Sequence, residues 1–170
     1  MAPKRNSNPR STAGSGPDRA RSQLTVTSGP WAVGRITSFL SQTVIPVRLA
    51  TSGSWPLVQS MWFRYDDGTL WCATRSDAVV VRRLRAEPRC GFEIARDQPP
   101  YAGVRGHGVA EIISTAGRRV LADLAERYLG PEDHVLRTWL LDRADDEVAI
   151  AIRDLAVTSW DFTQRMSAKE

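Results

Sequence analysis

Few residues of this chain have the types and spacing that side-chain catalysis needs. His107 and His134 are the only two histidines. They are too few for a three-histidine catalytic metal site, and an isolated histidine is most often a polar or capping residue. Cys72 and Cys90 are the only two cysteines. Both sit in strand-like stretches, as small buried thiols do, and they supply neither a disulfide scaffold nor a Cys-rich zinc site. Gly53-Ser54-Trp55-Pro56 lacks the second glycine and the strand-to-helix setting of a nucleophile elbow. Gly103-Val104-Arg105-Gly106-His107-Gly108 is glycine-rich but falls inside a strand pattern, away from the strand-helix turn of a dinucleotide site. With no phosphate loop and no His-Glu-x-x-His, redox or transfer chemistry would need a borrowed cofactor.

A more specific signal runs from Leu57 to Tyr65. Alternation puts Val58, Ser60, Trp62 and Arg64 on one face, and Leu57, Met61, Phe63 and Tyr65 on the other. Arg48, on the neighbouring strand, likewise stands opposite the apolar Val47 and Leu49. Two arginines, a serine and an indole on adjacent strands suit an anionic, aromatic ligand. Guanidinium meets phosphate bidentately, and the indole covers a flat ring. The same pattern also describes an exposed barrel face with Trp62 in a dimer interface.

The elements that must position these side chains follow from periodicity. Ile36, Phe39 and Leu40 recur at helical spacing and predict a short opening helix. Val44 to Thr51 reads as a first strand, Leu57 to Tyr65 as a second and Thr69 to Thr74 as a third. Ser52-Gly53-Ser54 is the first turn, and Asp66-Asp67-Gly68 closes a hairpin. Ser76 or Asp77 is placed to cap a helix running to Glu87, where Pro88 forbids continuation. Arg89 to Arg96 returns as a strand. Val104 to Ile113 is a longer one, with a bulge or close backbone approach expected at Gly106 and Gly108. Two amphipathic helices follow, one showing Val120, Leu121, Leu124 and Tyr128, the other Val135, Leu136, Trp139 and Leu140. Glu147 to Ile152 and Leu155 to Phe162 close the chain as strands. Short strands joined by tight turns predict a mainly β fold with helices, of the α+β class. Its core would be an antiparallel barrel of six to seven strands with flanking helices.

The chain has 170 residues with 42% hydrophobic content, enough for one ordinary core. Residues 1–30 are rich in Ser, Thr, Pro, Gly, Asn and Arg and contain no aromatic residue, which predicts a disordered basic tail ahead of a folded domain at 31–170. The tail's Lys4, Arg5, Arg10, Arg19 and Arg21 against Asp18 account for the whole net charge of +4. A neutral body does not offer the phosphate-neutralising surface of a nucleic-acid binder. No apolar run reaches the roughly 18 residues of a spanning helix, and no secretory signal is visible, so a cytoplasmic protein without membrane contact is expected.

Several segments, taken in order, resemble the pyridoxamine 5'-phosphate oxidase-like family of split β-barrels. They are Pro46-Val47-Arg48-Leu49-Ala50-Thr51, the Trp62-Phe63 pair before Asp66-Asp67-Gly68, the helix end from Leu84 to Pro88, and Val104-Arg105 through Glu111. The resemblance spans about residues 31 to 165. It implies a homodimer holding FMN at the subunit interface, or in some branches the deazaflavin F420, with haem in others. Carried over by position, Ser60, Met61 and Trp62 would lie along the flavin ring, with Arg64 near its phosphate and Thr74 beside the ligand. Trp160 and Arg165 match the tryptophan-then-arginine ending that completes the pocket, in the reading that draws it from the other subunit. The family's Ser-x-Lys phosphate grip falls here on Ala78 and Val80. The loss of one charge-assisted bond weakens binding about ten-fold or more. Arg75, Ser76 and Arg82, near a helix N-terminus, are the expected substitutes.

The function implied is FMN-dependent two-electron redox of a small organic substrate. An F420-dependent reductase of the same fold is the alternative within the family. Ala78 and Val80 favour a third reading, a barrel without flavin that serves as a ligand-binding or interaction module. Haem with His107 or His134 as axial ligand is a further possibility.

Overall fold

The computed structural model describes residues 24–130 and 134–167, and of His134 only the backbone. In chain order the elements are β1 (Leu24–Ser28), α1 (Val33–Gln42), β2 (Val47–Thr51), β3 (Leu57–Met61), β4 (Arg64–Asp66), β5 (Thr69–Arg75), α2 (Val79–Ala86), β6 (Arg89–Ala95), β7 (Ala102–Ile113), α3 (Gly117–Leu129), α4 (His134–Leu141), β8 (Glu147–Asp161) and α5 (Thr163–Met166). Among the described residues no helix is long and apolar enough to cross a membrane.

The strands form one sheet in the order β3-β2-β6-β7-β8-β5-β4, with β1 added beside β8. Its two outermost strands, β3 and β4, are separated in the chain by only Trp62 and Phe63. A sheet whose opposite edges are two residues apart has to curl until those edges meet, because an extended chain advances only about 3.3 Å per residue. The result is a barrel split between β3 and β4, as the family resemblance implied. The expected second strand, Leu57 to Tyr65, is therefore two strands serving the two ends of the sheet. Its alternation nonetheless persists: Met61 and Phe63 are buried, while Val58 and Ser60 face outward.

Other boundaries also differ from expectation. Leu24–Ser28, placed in the disordered tail, form a strand parallel to β8 in an otherwise antiparallel sheet. Leu24 and Val26 pack against the core while Thr25 and Thr27 alternate with them, a strand pattern masked by the polar composition around it. The remainder of that tail, residues 1–23, lies outside the described residues. The first barrel strand starts at Val47, three residues later than predicted.

The two closing strands are one 15-residue strand, β8, with Asp154 in the left-handed region (φ 53). His107 pairs with Ala156 and Val109 with Arg153, so Asp154 and Leu155 stand opposite the single residue Gly108. The bulge predicted in β7 thus has its extra residue in β8. A Cβ at Gly108 would meet the Arg153 carbonyl at 2.6 Å, which explains the missing side chain. At the β4–β5 hairpin Asp67 and Gly68 both take positive φ (41 and 75), as the two-residue turn requires.

The main core fills the barrel, with Val47, Leu49, Phe63, Leu70, Phe92, Ile94, Ile150 and Leu155 among its buried members. A second, smaller cluster lies outside the sheet, where Val120 and Leu124 of α3 cover Ala149. Val148 through Ile152 are consequently buried on both faces of β8, with alanines on the side where the helix comes close.

Candidate functional site

The uncovered outer face of β3, β2, β6 and β7 presents two cross-strand rows. Pairing aligns Ser60 with Arg48, Arg48 with Glu93 and Glu93 with Arg105, which forms a polar row. Two residues along, Val58, Ala50, Gly91 and His107 form a second row of mostly small side chains. Arg48 Nη1 lies 3.4 Å from Glu93 Oε1, with both side chains more than two-fifths exposed. The expectation that Arg48 and Ser60 share an open face is thus met. Met61 has its side chain in the barrel core, on the opposite side from Ser60, as the alternation predicts.

Trp62 and Arg64 lie elsewhere, beneath α3. The Trp62 indole stacks on the Tyr128 ring at 5.0 Å with 10° between planes. Tyr128 Oη accepts the Phe63 N–H (3.2 Å) and donates to the Ile45 carbonyl (3.1 Å). Burial raises the Tyr128 phenol above its ordinary value, so it stays protonated and able to donate. Arg64 forms ion pairs with Asp66 (3.1 Å) and Asp123 (3.3 Å) and lies over the Trp71 ring. The ring that could have covered a planar ligand is covered by tyrosine, and the nearby guanidinium is occupied by two carboxylates.

Thr74, Arg75, Ser76 and Arg82 gather where β5 leads into α2. The helix N-cap is Ala78, with no side-chain cap, so the expected cap by Ser76 or Asp77 does not form. Asp77 instead accepts from Arg75 through both oxygens (Nε to Oδ1 3.1 Å, Nη2 to Oδ2 3.2 Å), while Arg82 Nη1 donates to the Asp77 carbonyl at 2.7 Å. The hydrogen bond and charge of Arg75 hold the Asp77 carboxyl below its ordinary value. The Ser76 N–H is taken by the Asp146 carbonyl at 2.8 Å. Val80, the position of the family's lysine, is fully buried in the core.

At the C-terminal end, the Trp160 ring lies 5.4 Å from Phe162, and the Arg165 guanidinium sits 6.0 Å over the same Phe162 ring. Among the described residues no group of three or more metal-binding side chains occurs.

Sequence reasoning missed Asp77 as the partner of Arg75, although the Arg-x-Asp spacing was visible. It also missed Tyr128, which was read only as part of a helix face. The small-residue row around Gly91 required strand register, which periodicity does not supply.

A curled sheet split between β3 and β4, with a helix after β5 and a long closing strand, is the fold of the pyridoxamine 5'-phosphate oxidase-like split barrels. No protein-family model matches the chain, and no curated protein matches it. Solved structures do. A conserved hypothetical protein of Mycobacterium tuberculosis aligns with a TM-score of 0.68 at 25% identity, over 89% of this chain and 94% of that one. An F420 reductase aligns with a TM-score of 0.56 at 24% identity, over 69% of this chain and 92% of that one. A candidate pyridoxamine 5'-phosphate oxidase of Listeria innocua aligns with a TM-score of 0.54 at 20% identity, over 70% and 90%. At these identities the latter two likenesses concern the fold.

Proposed function

We propose that this chain is a flavin-binding oxidoreductase. It would work as a cytoplasmic homodimer, take FMN and carry out two-electron redox on a small organic substrate. The observation that carries this reading is the α2 N-terminus. No side chain caps it, and Arg75 and Arg82 flank it just after Thr74, on a fold that an F420 reductase shares. A helix N-terminus without a side-chain cap, beside two guanidiniums, fits a phosphate.

In this reading Arg75 and Arg82 hold the phosphate, and Arg75 exchanges the Asp77 carboxylate for it. Ser60 and the open β2–β3 face around Arg48 border the ring, and Trp160 and Arg165 complete the pocket of the other subunit. When bound, FMN supplies the hydride chemistry. The protein's part is to orient the ring and exclude water.

F420 is the alternative within the same reading, supported by the F420 reductase neighbour. A barrel without flavin is favoured by a separate observation: Val80 is buried, and the Arg75 fork is already filled by Asp77.

The test is an absorption spectrum of the purified chain, followed by titration with FMN and with F420. Oxidised-flavin bands, or saturable binding weakened about ten-fold or more by Arg75→Ala and by Arg82→Ala, support the proposal. A colourless protein that takes up neither cofactor overturns it in favour of the module. Sedimentation tests the dimer, and a monomer at micromolar concentration contradicts it.

A further inference from the structure

We propose that Asp77 is a built-in competitor for the phosphate, and that it sets how tightly the chain takes a phosphorylated ligand. The inference rests on the reading that Arg75 and Arg82 grip the phosphate of FMN. Both guanidiniums at the start of α2 are held by this one residue. Its carboxylate takes Arg75 through both oxygens, Nε to Oδ1 at 3.1 Å and Nη2 to Oδ2 at 3.2 Å, and its carbonyl accepts from Arg82 Nη1 at 2.7 Å. A phosphate presents the same pair of oxygens to the same edge of a guanidinium. The carboxylate therefore fills the edge that the ligand needs.

The surroundings make Asp77 an exchangeable partner and not a fixed strut. The Arg75 and Asp77 side chains are 59% and 68% exposed, so they can part into water without leaving a buried, unpaired charge. The carboxylate's hydrogen bonds go to Arg75, and no side chain caps α2, so its release uncaps nothing. Arg75 also feels the charges of Asp146 and Glu147, which sets two guanidiniums among three carboxylates. An incoming phosphate meets that negative excess until Asp77 swings away. Tied two residues along the chain from Arg75, Asp77 competes at a high effective concentration, and every phosphate that binds has to displace it.

The test titrates FMN into the full chain, followed by flavin fluorescence, and compares the parent with Asp77→Asn, which keeps the size and the backbone carbonyl but removes the charge. Asp77→Asn should tighten FMN about three- to ten-fold. Asp77→Glu keeps the charge and should stay within about two-fold of the parent. Riboflavin, which has the ring without the phosphate, should bind the parent and Asp77→Asn alike. A second probe needs no flavin: inorganic phosphate, followed by NMR at the Arg75 Nε–H signal, should also bind Asp77→Asn more tightly. FMN binding that Asp77→Asn leaves unchanged or weakens overturns the inference while the flavin reading stands. Equal tightening of riboflavin also overturns it, because the effect would then lie on the ring and not on the phosphate. If neither chain takes FMN, the flavin reading fails and the phosphate titration decides. Tighter phosphate binding by Asp77→Asn then keeps Asp77 as the competitor, and indifference overturns it.

Discussion

The Asp161 carboxylate collects donors from three parts of the chain. Oδ2 accepts from Trp31 Nε1 (3.0 Å) and Arg35 Nη2 (2.8 Å), and Oδ1 accepts the Thr163 N–H (3.0 Å). It thereby ties the entry to α1 onto the end of β8 and the start of α5. The bonds from Thr163, then from Trp31, hold its carboxyl well below the usual carboxylate range. The unfolded chain therefore binds a proton here at a higher pH than the folded one does. The clasp's contribution is complete above the ordinary carboxylate value of about 3.9 and fades as pH falls below it. Asp161→Asn should lower Tm at pH 7 by roughly 5 °C. The gap from the parent should narrow steadily below about pH 4, and a gap constant between pH 7 and pH 3 contradicts this account. Tyr128 makes a similar tie at the barrel split. Tyr128→Phe should cost about 1–2 kcal/mol in urea unfolding, because the Phe63 N–H loses its acceptor. Part of the strand alternation was legible at this scale, since residue types and spacing alone put Arg48 and Ser60 on an open face. The occupancy of Trp62 by Tyr128 and of Arg75 by Asp77 was not. Both depend on which partner the folded chain delivers, and composition and period do not encode that.

At the level of elements, α2 shows how one helix position decides between a phosphate grip and a core contact. Val80 is fully buried whereas Val79 is 47% exposed, although they are neighbours at the start of the helix. Val80→Lys should therefore destabilise the chain by about 3 kcal/mol or more, because the ammonium is buried without a partner. Val79→Lys should stay within about 0.5 kcal/mol. Equal tolerance of both in thermal unfolding would mean that the helix does not turn Val80 inward and Val79 outward. Helices were readable because their 3.6-residue period is long enough to recur: Ile36 with Leu40, and Val120 with Leu124, were expected on inner faces and are buried. Strand ends were harder. Period-2 alternation continues unbroken through Trp62-Phe63, so nothing local marks the point where the chain leaves one edge of the sheet and joins the other. In β8 the bulge at Asp154 shifts the alternation by a residue, and one strand was read as two. The exposed apolar side of α4, where Val135 is 84% and Trp139 51% exposed, was likewise read as an inner face because a helical period does not say what covers it.

For the molecule as a whole, the two thiols report on how cooperatively the split barrel opens. Cys72 on β5 and Cys90 on β6 are separated in the sheet by β7 and β8, yet they belong to one hydrophobic core. Burial pushes the Cys72 thiol up to about 12 and the Cys90 thiol up to about 11. At pH 8 almost no thiolate exists at either position in the folded state, and neither sulfur is accessible to a reagent. Reaction with an aromatic disulfide must therefore wait for opening. Because β5 and β6 lie on opposite sides of the central β7–β8 pair, no single edge strand can detach and expose both. If the curled sheet unfolds as one unit, both thiols react together in urea, with the midpoint seen by far-UV circular dichroism. Cys90 is the place where departure would appear, being 5% exposed and bonded through its sulfur to the Gly108 carbonyl at 3.7 Å, beside the β8 bulge. Labelling of Cys90 at urea concentrations that leave Cys72 protected would show that the β2–β3–β6 side of the split opens ahead of the β5–β8 side. The cooperative barrel predicts coincident curves for the two.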